Sequence, residues 1–218
     1  MTDFAIARRN MVESQLRTNR VTDARLLGAM GTVPREAFVP SSRKPVAYID
    51  DALPLGNGRW LPAPLAAARL YQLAAPGPSD LVLIIGAGTG YGGAVLGHLA
   101  SAVVALEEDA ELAEAAEQVL TETEADNVVV AKGPLKEGWP KQAPFDVIVF
   151  EGSVEEVPDV ILNQLADNGR LVAAIADGPG PSVATVMRKI GDLIATERSF
   201  DAGIPSLPGF ERAREFVF

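Results

Sequence analysis

Apolar residues recur along the chain at two different spacings, and the change between them divides it. Over residues 3–18, Phe4, Ala7, Met11 and Val12 fall three, four and one apart, with Arg8, Arg9 and Glu13 between them, which predicts an amphipathic helix. Thr22 and Asp23 stand where a second helix, running to Met30, would be capped. Val33-Pro34-Arg35 ends that helix, and Phe38-Val39-Pro40 anchors the segment after it. Residues 41–62 are rich in proline and glycine and read as irregular. Pro64 opens a third helix through Ala74 with Leu65, Ala68, Leu70 and Tyr71 inward, and Ala75-Pro76-Gly77-Pro78 stops it.

Beyond that stop, short apolar runs take turns with helical stretches. Strands are predicted at 81–85, 102–106, 127–131, 146–150 and 170–175. A helix is predicted at 108–121, with Leu112, Ala115, Ala116, Val119 and Leu120 on one face, and another at 157–166, ended by Asn168-Gly169. The unbroken runs Val147-Ile148-Val149-Phe150 and Leu171-Val172-Ala173-Ala174-Ile175 suit parallel strands covered on both faces. Residues 183–190 and 193–200 flank Gly191-Asp192 as an antiparallel hairpin, and Glu215-Phe216-Val217-Phe218 is expected to add a last short strand. The alternation predicts an α/β chain: a three-layer α/β/α Rossmann-like fold with a mostly parallel sheet. A helical segment, residues 1–62, precedes a Rossmann-like domain, residues 63–218, in one compact unit.

The stretch with the most specific chemistry is Val82-Leu83-Ile84-Ile85-Gly86-Ala87-Gly88-Thr89-Gly90-Tyr91-Gly92, followed by a helical run from Gly93 to Ala100. A strand that empties into glycines and then a helix lets the backbone approach a nucleotide-like ligand closely. The spacing is G-x-G-x-G, with Tyr91 where a dinucleotide fingerprint would place its third glycine. That disfavours a nicotinamide or flavin pyrophosphate and suits S-adenosylmethionine, which has none. Glu107 follows the next strand about twenty residues later, where a carboxylate accepts both hydroxyls of a ribose. The alternative reading of Glu107, with Glu108 and Asp109, is an acidic helix start. The agreement of strand, turn and acid in order and spacing favours the cofactor reading.

Composition narrows the classes further. The 218 residues are 48% hydrophobic, enough for one sizeable core. A formal net charge of −10 without any basic stretch disfavours nucleic acid and anionic membrane surfaces as partners. There is no cysteine, so disulfides and thiolate catalysis are excluded and a cytoplasmic location is expected. His98 is the one histidine, so no transition-metal site is expected, and a packed or solvated helix position suits it. No secretory leader or run of membrane-spanning length is read in the chain.

From about Arg9 to Ile175 the chain resembles the protein-L-isoaspartate O-methyltransferase family. The resemblance rests on Met11-Val12-Glu13-Ser14-Gln15-Leu16, on Val33-Pro34-Arg35 with Phe38-Val39-Pro40, and on Ala47-Tyr48-Ile49-Asp50-Asp51 leading to Leu53-Pro54-Leu55-Gly56-Asn57-Gly58. It continues through Gly86 to Tyr91, Gly138-Trp139-Pro140, Ala143-Pro144-Phe145-Asp146 and Gln164 to Leu171. It implies a methyltransferase fold with residues 1–62 on the substrate side. It also implies S-adenosylmethionine as cofactor without a metal, bound by Gly86, Ala87, Gly88, Gly90, Tyr91 and Glu107. The implied reaction methylates isoaspartyl or other carboxylates of damaged proteins and peptides, by a monomer or weak homodimer. A carboxylate with an ordinary pKa near ~3.9 is already ionised, so alignment and exclusion of water are the enzyme's main tasks.

The chain departs from the family pattern in its substrate segment and at two cofactor positions. Its Gly-x-Gly-Gln-Thr-Ile-Ser-x-Pro segment is here Gly56-Asn57-Gly58-Arg59-Trp60-Leu61-Pro62-Ala63-Pro64. Pro62 at the serine position has neither hydroxyl nor N–H, so no catalytic residue is assigned. Arg59 and Trp60 are the substrate-side candidates, Arg59 either pairing with a substrate carboxylate or lying in solvent. Ile84 replaces the acid before the glycine turn, and Pro134 replaces the acid expected near the adenine. Two lost hydrogen bonds weaken cofactor affinity by roughly ten- to a few-hundredfold unless a neighbour such as Glu151 substitutes. The reading is therefore a carboxyl methyltransferase, with a lapsed member serving as a binding or regulatory module as the alternative.

Overall fold

The computed structural model describes residues 3–212, so the expected strand at 215–218 lies outside the described residues. The first helix is three helical forms in series. An α-helix, α1 (Phe4–Asn10), passes into a π-helical segment, Met11–Leu16, and a 3-10 turn, Arg17–Asn19, closed by Arg20 in the left-handed region at φ 67°. Met11 and Leu16 are both fully buried and five residues apart. The wider π turn brings that spacing onto one face, which an α-helix would not. Asp23 caps α2 (Ala24–Thr32), its carboxylate accepting from Arg25 N at 2.8 Å and Leu26 N at 3.3 Å.

Residues 41–62 are more ordered than their composition suggests. A 3-10 segment, Ser41–Val46, leads to a small antiparallel hairpin of β1 (Leu53–Gly56) and β2 (Arg59–Leu61). Its turn uses three positive φ angles in succession, Gly56 at 110°, Asn57 at 49° and Gly58 at 74°. Pro64 then starts α3 (Pro64–Ala74) as the sequence implies.

The main sheet has seven strands in the order β5-β4-β3-β6-β7-β8-β9, with ranges β3 Leu81–Ile85, β4 Ala102–Glu107, β5 Val128–Lys132, β6 Phe145–Val154, β7 Leu165–Ile175, β8 Val183–Ile190 and β9 Leu193–Asp201. Strands β3 to β7 pair in parallel, and β8 and β9 return as the expected antiparallel hairpin. The helical prediction at 157–166 shrinks to one turn, α6 (Asp159–Leu162). Asn168-Gly169 lies within β7, at the register shift that separates the pair Phe145–Leu165 from Val147–Arg170. Strand capture begins early because Phe145 N already donates to Gln164 O at 2.8 Å.

Alternation along the strands sends Val82 and Ile84 to one face and Leu83 and Ile85 to the other. The first face carries α1 to α3 and α4 (Tyr91–Gly97), with part of α5 (Ala110–Glu122), in a continuous core that crosses the boundary at residue 62. The second face is covered more thinly, by α6, a 3-10 turn at Leu135–Glu137, and the segment carrying Leu207 and Phe210. Chain order runs outward from β3 in both directions, toward β4 and toward β6. The carboxyl ends of these strands therefore form the switch-point crevice where such sheets bind ligands.

Candidate functional site

At that crevice, β3 ends in three glycines in the left-handed region: Gly86 at φ 82°, Gly88 at 55° and Gly90 at 90°. The turn is held to the neighbouring strand, since Gly86 N and Ala87 N both donate to Leu106 O at 3.0 Å. Thr89 Oγ1 donates to Phe38 O at 2.6 Å, which joins the turn to the N-terminal segment. Close packing of the following helix falls to Gly93, where an added Cβ would lie 3.0 Å from Val128 and 3.7 Å from Ala105. Tyr91 is thereby free to turn away. Its ring is fully buried, edge-on to Phe38 at 5.6 Å and beneath the Arg35 guanidinium at 5.0 Å. The structure thus places Tyr91 in the helical layer rather than against the crevice expected for it.

Glu107 closes β4 with its side chain fully buried. Its Oε1 accepts from Arg59 Nη1 at 2.8 Å, Glu108 N at 2.9 Å and Asp109 N at 3.0 Å. Its Oε2 accepts from Arg59 Nη2 at 2.9 Å and Gly88 N at 2.7 Å. Arg59 is therefore neither solvated nor turned toward a substrate. Its planar fork matches the carboxylate in a two-bonded pair, and the pair is sealed from water at 6% and 0% side-chain exposure. A second tie, Asn57 Nδ2 to Asp109 Oδ2 at 2.7 Å, fastens the same hairpin to the end of β4.

The glycines are covered as well. A Cβ added to Gly86 would lie 2.7 Å from Leu207 Cδ1 and 2.8 Å from Arg59 Nη2, and one on Gly88 would lie 2.8 Å from Leu55 Cδ1. As folded, the chain's own side chains fill the place an adenosyl ligand would take. The acceptor sites of Glu107 are filled by five N–H donors, and apolar side chains stand where close backbone approach would occur. Ile84 is a fully buried core residue. Pro134 begins the 3-10 turn after Gly133 and offers no side-chain acceptor, while the Trp139 ring covers Gly133.

Beside this crevice lies a buried polar cluster of which the sequence pointed to Glu151 only as a substitute cofactor contact. Arg35 is fully buried, with Nε donating to Ala47 O at 2.8 Å and Nη2 to Pro62 O at 2.7 Å, so it pins the segment that carries Pro62. Its Nη1 and the Tyr91 hydroxyl, which lie close together, have no hydrogen-bond partner among the described residues. Glu151, on β6, accepts from the Tyr71 hydroxyl and packs against Gly92 at the start of α4. Burial pushes the Glu151 carboxyl up to about 7, against the opposing pull of the Tyr71 hydrogen bond and of Arg35 and Arg59. Burial also raises Tyr71 well above its ordinary range, with the neighbouring Glu151 charge adding to the effect. The available signal was an arginine framed by Pro34 and Phe38, with Glu36 next to it but no acidic residue three or four positions away. Trp60 lies on β2, 41% exposed, between the buried Arg59 and Leu61.

Among the described residues, no group of three or more His, Cys, Asp or Glu is placed to hold a metal ion, and no helix is long and apolar enough to cross a membrane.

Comparison with known proteins agrees with this architecture. The family model for protein-L-isoaspartate(D-aspartate) O-methyltransferase matches residues 7–200. The protein-L-isoaspartate O-methyltransferase of Koribacter versatilis is 39% identical over 197 residues, covering 90% of this chain and 89% of the relative. That of Roseiflexus castenholzii is 37% identical over 207 residues, covering 95% and 94%. Among solved structures, a protein-L-isoaspartate O-methyltransferase superposes with a TM-score of 0.81 at 24% identity, over 93% of this chain and 66% of that one. A putative Plasmodium falciparum enzyme in complex with S-adenosyl-L-homocysteine gives 0.75 at 19% identity, over 95% and 99%. At these identities the two structures speak for the fold, and the sequence relatives carry the assignment: the chain belongs to the protein-L-isoaspartate O-methyltransferase family.

Proposed function

We propose that this protein is an S-adenosylmethionine-dependent carboxyl methyltransferase acting on isoaspartyl residues of damaged proteins and peptides. The observation that carries the reading is the family match across residues 7–200, with the glycine turn and Glu107 standing together at the carboxyl ends of β3 and β4. When bound, the cofactor supplies an electrophilic methyl group. The chain's own part is to orient an already ionised carboxylate and keep water away. Gly86, Ala87, Gly88, Gly90 and Glu107 are the proposed cofactor contacts, and Trp60 with the segment pinned by Arg35 faces the substrate. A cytoplasmic location and a monomeric or weakly dimeric state belong to the same proposal, and the absence of cysteine suits a reducing compartment.

Incubation with methyl-labelled S-adenosylmethionine and an isoaspartyl peptide tests it. Base-labile label released as methanol is the expected result, and its absence at high enzyme concentration refutes isoaspartyl transfer. A binding or regulatory module is the second reading. It is favoured by the saturated carboxylate of Glu107 and by Pro62, which brings no hydroxyl to the substrate segment.

A further inference from the structure

We propose that the chain holds its own cofactor crevice shut with a two-part latch: Arg59 clasped on Glu107, and a carboxyl-terminal strap, residues 203–210, that seats Leu207 over Gly86. The inference rests on the cofactor reading above and adds an autoinhibitory contact to it.

The first part is electrostatic. Of the five donors on Glu107, three are backbone N–H groups from Gly88, Glu108 and Asp109, and two come from Arg59. A ribose diol needs acceptor positions on this carboxylate, and only the side-chain donors are free to leave. The guanidinium therefore occupies the place a diol would take. It is carried on β2, in a hairpin that Asn57 also ties to Asp109, so releasing Arg59 moves that hairpin.

The second part is steric. The strap runs alongside the end of β6, with Ser153 N donating to Pro205 O at 2.9 Å, Leu207 N to Ser153 O at 2.8 Å, and Glu155 N to Phe210 O at 3.2 Å. Phe210 locks edge-on against Phe150 at 5.3 Å. Gly152 makes the seat: a Cβ there would lie 2.7 Å from Leu207 Cβ and 3.1 Å from its backbone. The strap also meets the hairpin, since a Cβ on Gly58 would touch Pro208 at 3.5 Å. The two parts converge on Gly86, which both Leu207 and Arg59 approach. The freedom of a glycine, which a bound ligand would exploit, is taken up by the chain itself.

Calorimetry with S-adenosyl-L-homocysteine on the wild type, Arg59→Gln and Leu207→Ala tests the latch. Amide exchange at Leu207 and Glu155 is read in parallel. If the shut form dominates, each variant binds roughly tenfold tighter or more, because apparent affinity is reduced by the fraction of open molecules. Ligand binding to the wild type should also speed exchange at the strap amides. Arg59→Gln retains the three backbone donors to Glu107, and Leu207→Ala leaves the ion pair intact, so the two variants probe the parts separately. Equal affinities in all three proteins with unchanged strap exchange overturn the latch and leave the cofactor reading standing. No binding at millimolar ligand in any of the three overturns both.

Discussion

Replacing Glu151 by glutamine should remove a pH dependence of stability that the wild type carries. The carboxyl is buried among Tyr71, Gly92 and Arg35, and burial pushes it up to about 7 from an ordinary value of 4.5. A raised carboxyl favours the folded state when protonated. Between these two values the folded chain holds a proton that the unfolded chain has released, so stability falls as pH rises through the window. At 1.36 kcal/mol per pH unit the full loss is about 3 kcal/mol, and about 2–3 kcal/mol of it falls between pH 5 and pH 8. Glutamine keeps the shape and an acceptor for the Tyr71 hydroxyl but does not titrate. Urea unfolding of both proteins, followed by the fluorescence of Trp60 and Trp139 from pH 5 to pH 8, measures the difference directly. The variant should gain on the wild type as pH rises to about 7, hold that gain above it, and be the more stable protein at pH 8. Parallel stability curves across that range would refute the reasoning, because other titrating groups are common to both proteins.

Tyr71→Phe withdraws a hydrogen bond that holds the Glu151 carboxyl down, so the falling limb of the same curve should move to higher pH, with a cost of about 1–3 kcal/mol in urea unfolding; an unmoved limb counts against the contact. Glu107→Ala should destabilise by about 3–5 kcal/mol by stranding a buried guanidinium. Arg59→Gln should cost clearly less, because three backbone donors still serve Glu107; equal costs would contradict that asymmetry. Gly92→Ala would place a Cβ 1.8 Å from Glu151 Oε1 and 2.6 Å from the Tyr71 hydroxyl. It should be severely destabilising alone and much milder in a Glu151→Ala background, and additive effects in the double-mutant cycle would disprove the clash.

The parallel sheet is legible in sequence because its inner strands, β3, β4, β6 and the second half of β7, are buried on both faces and so read as unbroken apolar runs, with glycine and proline between them. The glycine turn and Glu107 are legible because their spacing follows the geometry of one strand–turn–helix–strand unit. Other features leave weaker traces. Met11 and Leu16 share a face only through a π turn, and α-helical periodicity does not anticipate one. The β1–β2 hairpin is hidden because its strands are four and three residues long, too short for alternation to register. The pairing of Arg59 with Glu107 spans 48 residues, and nothing local distinguishes an arginine bound for burial from one bound for solvent. The strap has no period at all, and its role depends on Gly152, which in sequence is only one more glycine after a strand.

The grip of Arg35 on the carbonyl oxygens of Ala47 and Pro62 has an evolutionary consequence. Because the main chain at position 62 is held through an oxygen that every amino acid possesses, this anchor survives a change of side chain there. A lineage could lose a hydroxyl at that point, or regain one, in a single codon change and keep the same scaffold throughout. Fold and chemistry are thereby decoupled at the residue where, in this chain, they would otherwise be most entangled.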